Sequence, residues 1–262
     1  MHSRESYDPE MFTRILARAG GGPVDVDAQV LAGFLRPGDT VPGQVVVRGG
    51  LLGTEIQRFS FEVLASWTAA LGVRAGDDEV NRAYAYGPFS VPRGEEVVVP
   101  FTVRLPWATP FTEVAGRALG VVLELRTRVD DSAIRTGSDE DLLHVSPLPL
   151  HEAVLDAFTG HGYTCEAGRL VEEWIPDVDQ PYDFYQLLEL RDRASDGVST
   201  DLELVFLTNA VGCEVLLRRS GHGVQSWEEK PPACRFVVAH HDLDRTDWNR
   251  LVGDWLRQVG AA

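Results

Sequence analysis

The chain has 262 residues, 44% of them hydrophobic and 24% charged, an ordinary balance for a globular protein with a real core. At roughly 150 residues per domain, that length suggests two domains. The formal charge of −16 argues against nucleic acid and anionic membranes as partners, because an acidic surface repels phosphate.

Met1 to Tyr7 is polar and charged, with no apolar signal-peptide core, so the chain is expected to stay in the cytoplasm. Pro9 to Ala19 reads as a short helix. Asp8 serves as its cap, Pro9 suits a first turn, and Phe12, Ile15, Leu16 and Ala19 share one face. Gly20-Gly21-Gly22-Pro23 stops it. With only Arg14 and Arg18 as cations, this helix is expected on the edge of a domain, not in a membrane surface.

From Val24 the texture turns to strands. Val24, Val26, Ala28 and Val30 alternate with polar residues. Gln44 to Arg48 follows the turn Arg36-Pro37-Gly38-Asp39, in which Pro37 fixes φ and Gly38 supplies φ > 0. Gly43 reads as a strand start or a bulge. Further strands are expected at Ile56 to Trp67, Val80 to Tyr86, Glu95 to Leu105 and Gly116 to Val129. Clusters such as Arg74-Ala75-Gly76-Asp77-Asp78, Gly87-Pro88 and Pro92-Arg93-Gly94 separate them. Short strands with regular Gly/Pro/Asp punctuation point to an antiparallel sandwich.

Asp130 to Ser146 is polar and acidic and reads as the link between two halves. Pro147-Leu148-Pro149 introduces a helix, His151 to Phe158, with Val154, Leu155 and Phe158 as its apolar stripe. Strands resume at Thr164 to Ile175, Asp183 to Arg191, Asp201 to Leu207, Cys213 to Arg219 and Arg235 to His240. Thr208 to Gly212 reads as a hairpin connection. A last helix is expected from Arg245 to Val259, capped by Asp244 and ended by Gly260. Trp248, Leu251, Val252 and Trp255 lie on one of its faces. Two tryptophans carry too much apolar area to stay bare, so this stripe must be covered. Packing on the second sandwich is the first expectation, and a symmetric partner chain is the second.

Three stretches carry a family resemblance. Leu35 to Gly50 (LRPGDTVPGQVVVRGG) has a Pro-Gly turn, a second Gly, an apolar strand and a Gly-Gly pair. Pro100 to Pro110 (PFTVRLPWATP) is a strand with a Leu-Pro turn. Thr127 to Arg135 with Ser138 to Pro149 is an acidic segment. In order and spacing these stretches, covering roughly residues 11–158, resemble the bacterial sporulation-control (SpoOM) family; Val129 and Asp130 depart from its pattern. The resemblance implies an arrestin-like protein of two antiparallel β-sandwich domains. The expected division is an N-terminal helix and linker at 1–22, a first sandwich at 23–130 and a second β-rich domain at 131–262. The second half matches the family in length and strand content more than in residues.

Candidate chemistry is sparse. Cys165, Cys213 and Cys234 form no C-x-x-C pair and are expected to be reduced and buried. His240 and His241 are adjacent, so on a strand they point to opposite faces and do not share an ion. Asp139-Glu140-Asp141 lacks the EF-hand order. Asp130, Asp131, Arg135, Asp139 and Asp141 instead make a candidate inter-domain polar region, which the resemblance brings forward. Glu172 and Glu173 alternate across a strand, so they are not a paired acid and base. Ser66 has no nucleophile-elbow glycines, and Gly20-Gly21-Gly22 no following Lys-Ser/Thr. No catalytic, cofactor-binding or metal-binding residue is therefore assigned. The expected protein is a non-enzymatic regulator or scaffold that binds other proteins, in family terms within bacterial development. The alternative is a carbohydrate-binding sandwich that uses Trp174, Tyr182, Phe184 and Tyr185.

Overall fold

The computed structural model describes residues 24–50, 53–68, 74–129, 138–193, 201–220 and 234–261; the helix expected at 9–19 lies outside them. The first half holds β1 (Asp25–Val30), β2 (Thr40–Arg48), β3 (Thr54–Thr68), β4 (Arg74–Val91), β5 (Glu96–Arg104), the two-residue strands β6 (Glu113–Val114) and β7 (Arg117–Ala118), β8 (Val121–Val129) and β9 (Ser138–Leu143). Helix α1 (Pro149–Gly160) follows. The second half holds β10 (Tyr163–Glu172), β11 (Phe184–Asp192), β12 (Leu202–Thr208), β13 (Gly212–Arg219), β14 (Cys234–Ala239), a short 3₁₀ turn at His240–Asp242 and α2 (Trp248–Ala261).

In the first half, one antiparallel sheet has the order β1-β2-β5 and a second has the order β4-β3-β8-β9. Strand β5 shows why they face each other. Val99, Phe101 and Val103 are buried while Glu96, Val98, Pro100, Thr102 and Arg104 are exposed, the period of two that a half-buried strand requires. Phe101 stacks on Phe61 of β3 with ring centroids 4.1 Å apart, which joins the two sheets across the core. Gly43 belongs to this packing and sits inside β2, not at a strand start. A Cβ there would lie 2.2 Å from the Phe101 ring, so only glycine lets the ring lie flat on the strand. Gly38 has φ +86°, as its turn requires, and Arg36 N–H is held by the Asp39 carboxylate at 2.8 Å.

Two expectations are corrected here. Strand β4 is far longer than 80–86. The segment expected as an inter-domain link contains β9, which pairs with β8 from Leu123↔Leu143 to Arg128↔Ser138. Pairing with β8 holds this acidic stretch as an edge strand, with Asp139 and Asp141 on one face and Glu140 and Leu142 on the other.

The second half departs further from expectation. Its described residues form one antiparallel sheet in sequential order, β10-β11-β12-β13-β14, where a second two-sheet sandwich was expected. The two helices stand where the second sheet would. Leu150, Val154, Leu155 and Phe158 of α1 and Val252, Trp255 and Val259 of α2 join Leu204, Val215 and Leu217 of the sheet in one core cluster, and that cluster also runs through the first half. The opposite face buries a smaller cluster of Ile175, Tyr185, Leu187, Val205, Leu207 and Leu216. Buried on both faces, β12 reads as a nearly unbroken apolar run. The hairpin at Thr208 to Gly212 forms as expected, with Asn209 Oδ1 accepting from Val211 N–H at 2.8 Å and Gly212 N–H at 3.1 Å. Helix α2 starts three residues later than expected. Asp247, not Asp244, caps it by accepting from Arg250 N–H at 3.0 Å, and the helix runs through Gly260 to Ala261.

Candidate functional site

The most organised polar site lies where the two halves meet. The loop from Leu105 to Thr112, which follows β5, reaches across to the second sheet. Gln186 of β11 grips its backbone: Nε2 donates to the Phe111 carbonyl at 2.7 Å and Oε1 accepts from Phe111 N–H at 3.1 Å. Gly168 N–H of β10 donates to the Leu119 carbonyl at 2.8 Å. Trp107 approaches His240, with ring centroids 5.5 Å apart. Arg36 and Glu152 add an ion pair at 3.4 Å, half exposed and so worth little by itself.

His151, in the first turn of α1, sits at the centre of this joint and is 2% exposed. Its ring stacks on Phe206 with centroids 4.4 Å apart and lies 5.6 Å from Phe111. Nε2 meets Thr208 Oγ1 at 2.8 Å, and Thr208 Oγ1 lies 3.4 Å from Cys213 Sγ. Burial holds the imidazole neutral and pushes its pKa down to about 3, with a smaller contribution from His240. A cavity of about 30 Å³ adjoins the joint, lined among others by Trp107, Thr109, Phe111, His151, Tyr182 and Gln186.

A histidine beside a hydroxyl invites comparison with a nucleophile and its base. The arrangement is not built for that chemistry. Hydroxyl and imidazole are both buried, and the cavity is far smaller than the 300–1,000 Å³ or so typical of ligand clefts. Among the described residues Nδ1 has no carboxylate to orient it as a triad requires. Cys213 is no thiolate nucleophile, because burial pushes its thiol up to about 12. The site is a polar clasp between α1 and the sheet.

Of the proposed inter-domain polar residues, Asp130, Asp131 and Arg135 lie outside the described residues. Asp139 and Asp141 meet β1 and not the second half. Asp139 Oδ2 accepts from Ala28 N–H at 2.8 Å, and Asp141 is pushed up to about 6 by burial first and then by Asp139 and Asp27. Arg126 of β8 meets the other face of β9, where its Nε donates to Glu140 at 2.7 Å. In the stripe on α2, Val252 and Trp255 are buried while Trp248 and Leu251 are half-buried. Trp255 stacks on Phe236 of β14 at 4.4 Å, and Trp248 Nε1 donates to the Leu243 carbonyl at 2.9 Å.

The aromatic set of the carbohydrate reading does not form a platform. Phe184 and Tyr185 are buried, Tyr182 is half-buried and stacked on Phe184, and only Trp174, at 56%, is widely exposed. His240 Nε2 is bonded to the Asn209 carbonyl at 2.9 Å, while His241 lies against Asp242 at 3.5 Å. Among the described residues no group of three or more His, Cys, Asp or Glu is placed to hold a metal ion. Cys165, Cys213 and Cys234 are all free and buried. Among the described residues no helix is long and apolar enough to cross a membrane.

Sequence reasoning missed His151, Gln186 and the loop that Gln186 grips. One signal was present for the histidine: position 151 lies three, four and seven residues before Val154, Leu155 and Phe158, on the same apolar stripe. Nothing local marks Gln186, whose partner is 75 residues away. A buried pair was missed too: Arg218 Nε donates to Glu203 at 2.5 Å on the far face of the second sheet.

Known proteins share both the sequence pattern and the fold. The curated sporulation-control protein spo0M of Bacillus subtilis (strain 168) is 29% identical over 235 residues, which is 84% of this chain and 84% of that protein. The crystal structure of Spo0M, sporulation control protein, from Bacillus subtilis matches with a TM-score of 0.75 at 22% identity, over 91% of this chain and 99% of that one. At that identity it is a likeness of fold. The family model described as SpoOM protein matches residues 12–220, a span that takes in both sheets of the first half, the joint at His151 and most of the second sheet; the chain belongs to the SpoOM protein family.

Proposed function

We propose that this chain is a non-enzymatic regulatory or scaffold protein that acts in the cytoplasm of a bacterium by binding other proteins, within sporulation control or a related developmental programme, and that its first half is an arrestin-like β-sandwich. Membership of the SpoOM family supports the process. The observation that carries the binding mode is β4. It spans 18 residues at the edge of its sheet, with β3 as its neighbour. Its outward face presents Tyr84 and Tyr86, 5.8 Å apart, and Tyr86 is 69% exposed. A long sheet edge beside exposed tyrosines is a surface onto which a partner segment adds as a further strand, and tyrosine is enriched where such contacts carry energy. The test places a photo-crosslinking residue at position 86 in a spore-forming host that lacks its own relative of this chain. A defined protein adduct, together with loss of the sporulation phenotype in a Tyr84→Ala, Tyr86→Ala variant of unchanged melting temperature, is expected. Full complementation by that variant, with no adduct, would remove β4 as the binding edge.

A further inference from the structure

Exposed sheet edges invite pairing with other chains, and proteins blunt the edges they do not use. In the first half, β5 carries the exposed Pro100, which has no N–H to offer. At β1 the Ala28 N–H is taken by Asp139 of β9, and β9 itself is acidic. In the second sheet, β10 is engaged by the first half through Gly168 N–H and the Leu119 carbonyl. The other end of that sheet, β14, is different. It has no proline and no bulge. Its one charged side chain, Arg235, is turned towards β13, where Nε donates to Glu214 at 2.6 Å. Among the described residues no strand pairs with its outer side.

The register shows which backbone groups of β14 are free. His240 N–H donates to the Val211 carbonyl, one step beyond the Gly212↔Ala239 pair of the β13–β14 ladder. In an antiparallel ladder every second residue turns its backbone to the neighbouring strand. Phe236 and Val238 therefore face β13, while Arg235, Val237 and Ala239 turn N–H and C=O outward. The Val237 side chain is bare as well, at 82% exposure. Beside it lies a groove of about 340 Å³, with Pro181, Leu207 and Val211 among its walls and the carboxylates of Asp179 and Glu214 on its lining. Glu214 is answered by Arg235, whereas no cation among the described residues is paired with Asp179.

We propose that β14 is a docking edge in its own right, separate from β4, and that it takes a basic, strand-forming segment of another protein as an added strand of the second sheet. Charge selects the occupant. The groove presents carboxylates and the chain stands at −16, so a second copy brings the wrong sign. An arginine or lysine opposite Val237 lays its apolar stem along the valine and carries its charge towards Asp179. The added strand's backbone meets the outward groups of Val237. The family match ends at residue 220, so β14 lies beyond it and this use of the edge is not implied by membership.

The test uses the full chain and a blocked peptide of alternating arginine and valine, followed by backbone amide spectra and by affinity. The peptide should shift the amides of Arg235, Val237 and Ala239. Two comparison peptides separate pairing from charge: one of glutamate and valine, and one of the original sequence with N-methyl groups along one edge. Both should bind at least about tenfold more weakly, the second because it has lost its backbone donors. Val237→Pro removes the outward N–H and spares the bonds to β13, so it should weaken binding by about the same factor. Asp179→Asn, at the surface, should weaken it severalfold at unchanged melting temperature, and it decides the matter if the proline variant fails to fold. The Tyr84→Ala, Tyr86→Ala chain should bind the peptide as the parent does. Equal binding of the methylated peptide would reduce the effect to charge alone and overturn the proposal. So would parent-like binding by a folded Val237→Pro or by Asp179→Asn, or loss of binding in the tyrosine variant, which would move the site to β4. Amides of β14 that lose exchange protection on dilution of the free chain would make a second copy the occupant and overturn it too.

Discussion

Two polar regions of this chain answer the same force in opposite ways. At the joint, one imidazole is enclosed among Phe206, Phe111 and Thr208. At the margin where β1 meets β9, the three carboxylates Asp27, Asp139 and Asp141 gather with partial access to water. Loss of solvation is the largest cause of the shift in both places, and it favours the neutral form each time: His151 falls to about 3 and Asp141 rises to about 6. Acidification therefore works against the joint and in favour of the margin. A polar group held neutral inside a bonded chain acts as a clasp. Carboxylates crowded at an edge are a local cost that protonation relieves.

The largest expected effect follows from the joint. His151 is ordinarily half-protonated near pH 6.5 and in the fold only near 3. Its contribution to stability is complete above pH 6.5 and is lost as pH falls towards 3, by as much as about 5 kcal/mol if the unfolded ring titrates normally. Denaturant unfolding between pH 3 and 7 should show a steep decline that His151→Gln flattens. Equal slopes in the two proteins would mean that the ring is not held neutral.

Trp255→Ala sharpens the contrast because it removes packing without removing charge. The side chain is 2% exposed and stacked on Phe236, so the loss should be about 3–5 kcal/mol at every pH. Light scattering on the same samples separates the two expectations for the stripe: an unchanged melting temperature with a smaller particle would make α2 an interface between copies. Gln186→Leu comes next. It strips both bonds from Phe111's backbone across the joint and should cost about 1–3 kcal/mol, seen as a lower unfolding midpoint with the fold intact. Asp247→Ala removes the α2 cap and should cost about 1 kcal/mol, while Asp244→Ala should cost nothing measurable.

What was legible in the sequence was whatever local chemistry decides. The Pro37-Gly38 turn, the Asn209 turn, the run of strands and two helices all follow from turn residues and periodicity, and the structure contains them. Long-range pairing was not legible. An acidic stretch at Ser138 to Leu143 forms a strand because β8 is beside it, and no local signal distinguishes that from a linker. The second half reads as many strands, which fits two sheets as well as it fits one sheet backed by helices. The apolar stripes of α1 and α2 were visible, yet what they cover depends on contacts far apart in the chain. The placing of the α2 start was a nearer miss: Asp244 and Asp247 both suit a cap, and the 3₁₀ turn at His240–Asp242 with the Trp248–Leu243 bond selects the later one.

The smallest expected effect is the most direct test of the margin. In Asp141→Asn the carboxylate is replaced by a neutral group of the same shape. In the unmodified chain Asp141 is half-protonated near pH 6, against 3.8 for the isolated side chain, so the benefit of its neutral form is complete below pH 3.8 and lost as pH rises through about 6. The variant keeps that benefit at all pH values. It should therefore be the more stable protein at pH 7 to 8 and indistinguishable from the parent near pH 4. The side chain is only partly shielded, so the gain should stay below about 1 kcal/mol after solvent screening, and added salt should shrink it further because Asp139 and Asp27 supply part of the shift. Asp139→Asn serves as the comparison. It weakens the bond that Ala28 N–H donates and should lose stability where Asp141→Asn gains it. If both variants lose stability at pH 8, Asp141 is a bonded carboxylate like its neighbour, and the opposition between margin and joint disappears.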